Sequence, residues 1–499
     1  MNATQTEQGF RGYLAKLHAL RHALAILNYD AETVMPQDGA ALMGETVGLL
    51  AEEQHRLLVS DSLAEFLEEI RAHREQIPEE LVAEARALAR ERDKMHAIPP
   101  EEFRAYSTVQ AQAVQVWKQA KQDDDFTSFR PYLERLITDV RRFATYYDEK
   151  RPTYDVLLDE NDKGLTMETL DPFFHRVEQD LTPLIREISS LPPVEDGFLR
   201  QRFPLADQRR LAERLLEILG IPRQRCALGE SEHPFTEGVN NRDVRITTHY
   251  DETDMTSSLY SVLHEGGHAL YMLNVDDRLN GFSIGEGAGT ALHESQSRFF
   301  ENMVGRSQAF LTFLLPELQR FFPSLQGIMP ADLYRAVNQS RPSLIRIYAD
   351  ELTYPLHILI RYRLEKALFA GDLSVADLPG QWDELYGESL GVRPDRLATG
   401  VLQDTHWACG LFGYFPGYAL GSAYSAQLFH KAAQDLRTLH QDLQQGKLWP
   451  LQQWLRERVW RLGGLRDPEP ILQSATGEVF NPGYYTTYLL EKYRTVYGL

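Results

Sequence analysis

Apolar residues recur along most of this chain at helical spacing. Leu17, Leu20, Leu24 and Leu27 fall three and four residues apart and so share one helical face. The same period returns at roughly 40–57, 60–74, 79–97, 101–121, 126–148, 166–190, 205–219, 256–273, 289–304, 331–338, 343–370, 416–446, 450–461 and 484–495. Strand-like alternation is confined to one stretch, HPFTEGVNNRDVRITTHY at 233–250. There Val244, Ile246 and Thr248 alternate with Arg245 and Thr247 after the turn-forming VNN. A mainly α fold with one small antiparallel hairpin is predicted. Pro and Gly punctuation breaks the helices at 35–40, 98–100, 191–197 and 415–417. The break at 191–197 is the best internal boundary, setting a mostly helical part, 1–197, before the part 198–499. No repeat of 20–50 residues and no low-complexity tract appears, so 1–499 reads as a single large domain.

Composition narrows the function. The 499 residues carry 52 Lys+Arg against 72 Asp+Glu, a net charge of −20, which repels nucleic-acid phosphates and anionic membranes. With 43% hydrophobic residues the chain can bury a large core. Cys226 and Cys409 stand alone, outside any metal or disulfide pattern, which points to a reducing cytoplasm. The first 30 residues lack a basic stretch followed by a continuous apolar run, so no secretion signal is expected. Apolar windows such as AFLTFLLPELQRFF break at Pro or charge short of the roughly 18 residues a bilayer span needs.

The chemistry concentrates in HEGGH at 264–268. Two imidazoles four residues apart lie one helical turn apart on one face, where zinc accepts nitrogen at about 2.0–2.1 Å. Glu265, about 100° round the helix, is placed to act as general base toward a water that zinc acidifies. Gly266 and Gly267 each cost roughly 0.8–1.0 kcal/mol in a helix relative to Ala, so the pair implies a close approach to the backbone there. The bland alternative is two hydrogen-bonded core histidines.

A catalytic zinc takes a third protein ligand and keeps one position open. No third histidine completes an extended motif, so a carboxylate is expected from Glu286, Glu294 or Glu301. Glu294 lies on a predicted helix with Leu292, Phe299 and Met303 available to pack it, whereas Glu286 sits among glycines; a rigid element is the better platform. The position four residues after Glu294, where this type of site commonly places a supporting acid, is Arg298. Support for the ligand histidines then falls to Asp243, Asp404 or Glu301.

Taken together, HPF at 233–235, DVRIT at 243–247, HEGGH, HESQ at 293–296, IRIYADELTYP at 345–355, and GVLQDTHW followed by GYFPGYALG within 400–421 resemble the thermostable (Taq-type) carboxypeptidase family of zinc metallopeptidases. YDAETVMP at 29–36 is similar to a further family signature, with Tyr29 in place of Trp. The resemblance implies a mostly helical single domain with a long active-site groove and a small sheet near the metal, zinc with cobalt or manganese as substitutes in vitro, peptide substrates with a free C-terminus, and a homodimer. It implies ligands His264, His268 and Glu294, with Glu265 as base. It also implies Arg346 as the holder of the substrate's terminal carboxylate, a role for which a guanidinium suits; Arg341 and Arg361 compete for it. His406 and Tyr414 are implied as oxyanion donors. Tyr418 is an alternative, since Pro416 is set to open a helix. His233 and Arg245 line the groove or stiffen the hairpin. An aminopeptidase or endopeptidase with the same site, or a scaffold with structural zinc, are the other readings. The first lacks a GxMEN-like stretch and the last lacks the usual four closed ligands.

Overall fold

The computed structural model describes residues 2–499, which form twenty α-helices and one three-stranded sheet. No helix among them is long and apolar enough to cross a membrane. The chain divides into two compact units. One combines the residues up to Met95 with Glu195–Val337 and Tyr424–Phe480; the other combines His96–Val194, Asn338–Ala423 and Asn481–Leu499. The chain first returns to the first unit at Glu195, inside the break at 191–197.

In the first unit, the helix Ala3–Thr33 buries Phe10, Tyr13, Leu14 and Leu17. Its apolar stripe therefore lies N-terminal to the one the leucines mark, and Leu20, Leu24 and Leu27 are only half-buried. Phe10, Tyr13, Leu14 and Leu17 join Leu58, Leu63, Ile70, Leu81 and Leu88 in one cluster. The sheet has strands β1 (Cys226–Glu230), β2 (Thr236–Asn240) and β3 (Asp243–Thr248) in the order β1-β3-β2. The predicted hairpin is β2–β3, antiparallel, with a bulge between Gly238 and Asn240. β1 adds to it in parallel, so the sheet is mixed rather than purely antiparallel. CALGE gave no sign of this strand because only its first residue is buried and no alternation results.

In the second unit, Pro100–Asp123 and Phe126–Tyr147 form a helical hairpin. Its turn uses Asp124 at φ 58°, a left-handed conformation that a short polar side chain tolerates, and the Asp124 carboxylate accepts from the Ala398 N–H at 2.7 Å. Phe174 of Met167–Ser189 stacks on Tyr362 of Tyr354–Ala370 at 4.8 Å. The stretch expected as one helix from 343 is irregular up to Tyr354 apart from a 3₁₀ turn at Arg346–Tyr348. Asp350 explains the break: its carboxylate accepts from the backbone N–H groups of Arg341, Leu352 and Thr353, and Pro355 then opens the helix. The predicted run 416–446 is likewise two helices, Phe415–Asp435 and Leu439–Gln444.

Glu365 is buried completely, yet three donors reach its carboxylate: Tyr154 hydroxyl at 2.8 Å, Trp407 indole N–H at 2.7 Å and Gly413 N–H at 2.8 Å. Burial outweighs them and pushes its pKa up to about 7 from 4.5. The folded chain thus holds this proton more tightly than the unfolded chain. The contribution of Glu365 to stability is greatest below about pH 4.5 and is lost as pH rises to about 7, by roughly 3 kcal/mol. Urea unfolding of the wild type and Glu365→Gln at pH 4.5 to 8 tests this. The variant is expected to lack that part of the pH slope; parallel curves would contradict it.

Candidate metal centre

Helix Met255–Leu273 carries HEGGH, and Asp254 caps its start by accepting from the N–H groups of Thr256 and Ser257. Helix Thr290–Arg298 carries Glu294 and runs on into a π-helical stretch, Phe299–Gly305. The two helices pack closely because of Gly267. A Cβ there would lie 2.4 Å from the carbonyl oxygen of Gln296 and 2.7 Å from Ser297 Cα. The close approach implied by the paired glycines is therefore that of the Glu294 helix, while Gly266 faces the Leu219 side chain. Gly267→Ala would gain up to about 1 kcal/mol of helix propensity but force the two backbones apart, at roughly 1–3 kcal/mol. A lower melting temperature and weaker metal binding are expected; a variant as stable and as tightly metal-binding as wild type would contradict this packing.

His264, His268 and Glu294 each offer a ligand atom, all within 4.8 Å of one another. Glu294 Oε2 lies 3.7 Å from His264 Nε2 and 3.5 Å from His268 Nε2. Two donors about 2.1 Å from one tetrahedral ion would stand roughly 3.4 Å apart, so the donor set fits a divalent ion. The far ring nitrogens are occupied. His264 Nδ1 meets Glu301 Oε2 at 2.9 Å and His268 Nδ1 meets His293 Nδ1 at 2.6 Å. Both rings therefore turn Nε2 toward Glu294, with their orientation fixed from behind, as a shared ion would require.

Of the three acids considered for support, Glu301 is the one that meets a candidate ligand histidine. Asp243 pairs instead with Arg245 at 2.9 Å, and Asp404 pairs with Arg346 and Arg361. Arg298 stands between two carboxylates, donating to Glu294 Oε1 at 2.8 Å and Glu301 Oε2 at 3.1 Å. Burial alone would raise the Glu294 carboxyl, but Arg298 and then His264 and His268 more than offset it and hold it well below the usual carboxylate range. Glu301 is likewise held down, to about 2, against burial by Arg298 and His264. His293, buried beside His268, is pushed down to about 3 and stays neutral. The sequence signal for Arg298 was present in the spacing Glu294, Arg298, Glu301, which is i, i+4, i+7 on one helical face. His293 and Thr236 carried no separate signal.

Glu265 is buried, and its Oε2 accepts from the Thr236 hydroxyl of β2 at 2.6 Å. Glu286 lies on the 3₁₀ turn Ser283–Glu286, outside the converging group. His233 is exposed at the approach to β2, and Arg245 is bound up in the hairpin with Asp243 and over the Tyr29 ring at 5.3 Å.

The second unit gathers the remaining expected residues. Arg346 and Arg361 grip opposite oxygens of Asp404: Arg346 Nε meets Oδ1 at 2.9 Å and Arg361 Nε meets Oδ2 at 2.8 Å. The Asp404 carboxyl is held far below its usual range against burial by these two cations. Arg361 is fully buried, and its nitrogens also bond the His357 carbonyl, Gln403 and Tyr386. Arg341 is exposed. His406 Nε2 lies 3.2 Å from the Tyr418 hydroxyl, and its ring is 5.7 Å from that of Tyr414. Burial, then Arg346, push His406 down to about 4, so it is neutral at pH 7. Pro416 sits in the first turn of Phe415–Asp435.

A paired-histidine helix, a carboxylate from the next α-helix and a nearby acid, on a mainly helical fold, match the donor pattern of a metallopeptidase. Residues 9–493 match the family model for carboxypeptidase Taq (M32) metallopeptidase, and the chain belongs to that family. It is 37% identical to carboxypeptidase 1 of Bacillus subtilis over 495 residues, 99% of each chain. It is 35% identical to thermostable carboxypeptidase 1 of Pyrococcus furiosus over 96% of each. Among solved structures, the M32 carboxypeptidase of Deinococcus radiodurans matches with a TM-score of 0.96 at 33% identity, over 99% of this chain and 100% of that one. The chain is thus a metallocarboxypeptidase, and a metal ion belongs to its activity.

Proposed function

We propose that the chain is a zinc carboxypeptidase that removes single residues from the free C-terminus of peptides, with the ion held by His264, His268 and Glu294. The observation that carries this reading is the convergence of the two Nε2 atoms on Glu294 Oε2 while Glu265, next to His264, stays outside the cluster. Zinc bound there would polarise the scissile carbonyl and acidify water. Glu265 accepts the proton of the attacking water and returns it to the leaving amine. The Thr236 hydroxyl holds one Glu265 oxygen and leaves the other for that transfer.

Arg346 receives the substrate's terminal carboxylate. Its Nη2 has no hydrogen-bond partner among the described residues, whereas Arg361 spends all its nitrogens inside the protein. Asp404 fixes the Arg346 side chain through Nε. His406 and Tyr414 donate to the oxyanion formed when water adds, a contribution on the order of 10²–10³ in turnover per donor. Tyr418 orients His406. His406 Nδ1 is buried and has no partner among the described residues, so the ring keeps one nitrogen uncommitted. Cobalt or manganese would fill the same His₂Glu set in vitro, and the chain acts as a homodimer, giving twice the chain mass in light scattering.

The direct test is a peptide blocked at its N-terminus, incubated with protein and zinc and followed by mass. Stepwise loss from the C-terminus is expected; internal cleavage or an untouched peptide would contradict the reading.

A further inference from the structure

The two carboxylate oxygens of Glu294 have different neighbours. Oε2 faces both Nε2 atoms, at 3.7 and 3.5 Å. Oε1 accepts from Arg298 Nε at 2.8 Å. The Ser297 hydroxyl serves mainly the Glu294 carbonyl, at 2.7 Å, and reaches Oε2 at only 3.2 Å. Arg298 is itself held from the other side by Glu301 at 3.1 Å, and its side chain is 18% exposed.

A carboxylate can bind an ion through one oxygen or both. Binding through both would fill a further coordination position with protein, whereas a catalytic site keeps one free. Turning Oε1 on to the ion would break a charge-assisted hydrogen bond where little water can replace it, and such bonds are about twice as strong as neutral ones. A loop acid or an unpaired Glu would carry no such restraint. We infer that Arg298 is a positioning residue that confines Glu294 to a single metal-binding oxygen and so keeps a coordination position open for water and substrate. The inference rests on the proposed ligand set and adds what decides its coordination number. It also gives a reason for a cation at the position where an acid was expected: the acid's support of the histidine comes from Glu301, and the freed position restrains the carboxylate ligand.

Cobalt-loaded protein reports this directly, because the visible absorption of Co²⁺ weakens as its coordination number rises. Arg298→Met is expected to keep cobalt with a several-fold weaker visible band, while Arg298→Lys, which retains a cation able to bond Oε1, keeps most of the wild-type intensity. A Met variant with an unchanged spectrum would overturn the inference. Should that variant fail to fold, crystals of the zinc-loaded wild type decide: one Glu294 oxygen at about 2.0–2.2 Å from zinc, with Oε1 still on Arg298, supports it. Both oxygens on zinc overturn it. A wild type that takes up no cobalt at all overturns the ligand set as well, a result distinct from an ion bound through both oxygens.

Discussion

Replacing Glu265 by Gln is expected to lower kcat by roughly 10²–10⁴ while leaving the metal content unchanged. The amide keeps an acceptor for the Thr236 hydroxyl, which now lies 2.6 Å from Glu265 Oε2, so the buried side chain has its partner and the fold is not disturbed. The amide cannot accept a proton, and the attacking water loses its base. The metal stays because Glu265 is absent from the group of converging donors. Turnover on an N-terminally blocked peptide, measured beside metal content, separates the effects. Loss of both would make Glu265 part of the metal's support, and turnover near wild type would remove it from the chemistry.

Replacing Arg346 by Met is expected to cost roughly 10²–10³ in kcat/KM on free-acid peptides, most of it in KM, as expected when a buried charge-assisted pair loses one partner. The fold should survive, because Asp404 keeps Arg361 at 2.8 Å and Arg346 retains some exposure, 8% of its side chain. Amidating the substrate should cost the wild type a similar factor and the variant almost nothing, since the interaction is then already missing. If acid and amide peptides react equally fast with the wild type, Arg346 does not read the C-terminal carboxylate. Arg361→Met would not serve as the control: it removes a fully buried guanidinium that bonds Asp404, Gln403 and Tyr386 and should unfold the second unit.

The helices with clean apolar stripes were legible in the sequence, and so were the three residues that converge in the candidate metal centre. HEGGH and Glu294 lie on helices whose period and packing residues are plain in the letters, and Gly266 and Gly267 signalled a close approach before its partner was known. What stayed hidden followed from tertiary context. Leu378–Leu390 contains Pro379, Gly380 and Gly387, poor helix formers, and it is a helix because Trp382, Leu385, Tyr386 and Leu390 are buried. Gln308–Phe321 hides behind the interior Pro316. Asp350 draws three backbone N–H groups into a turn and so cuts a helical pattern that periodicity alone would continue. At the site, the contacts of Glu301 and His293 depend on which ring nitrogens of His264 and His268 turn toward Glu294. Spacing along the chain does not carry that; only the packed geometry does.

The central claim is that His264, His268 and Glu294 together hold one divalent ion. Equilibrium dialysis against zinc followed by elemental analysis tests it on the wild type and on His264→Ala, His268→Ala and Glu294→Ala. One tightly bound zinc per wild-type chain and near-complete loss in each variant are expected. Variants that are folded and retain a full equivalent, or a wild type that retains none, would contradict it.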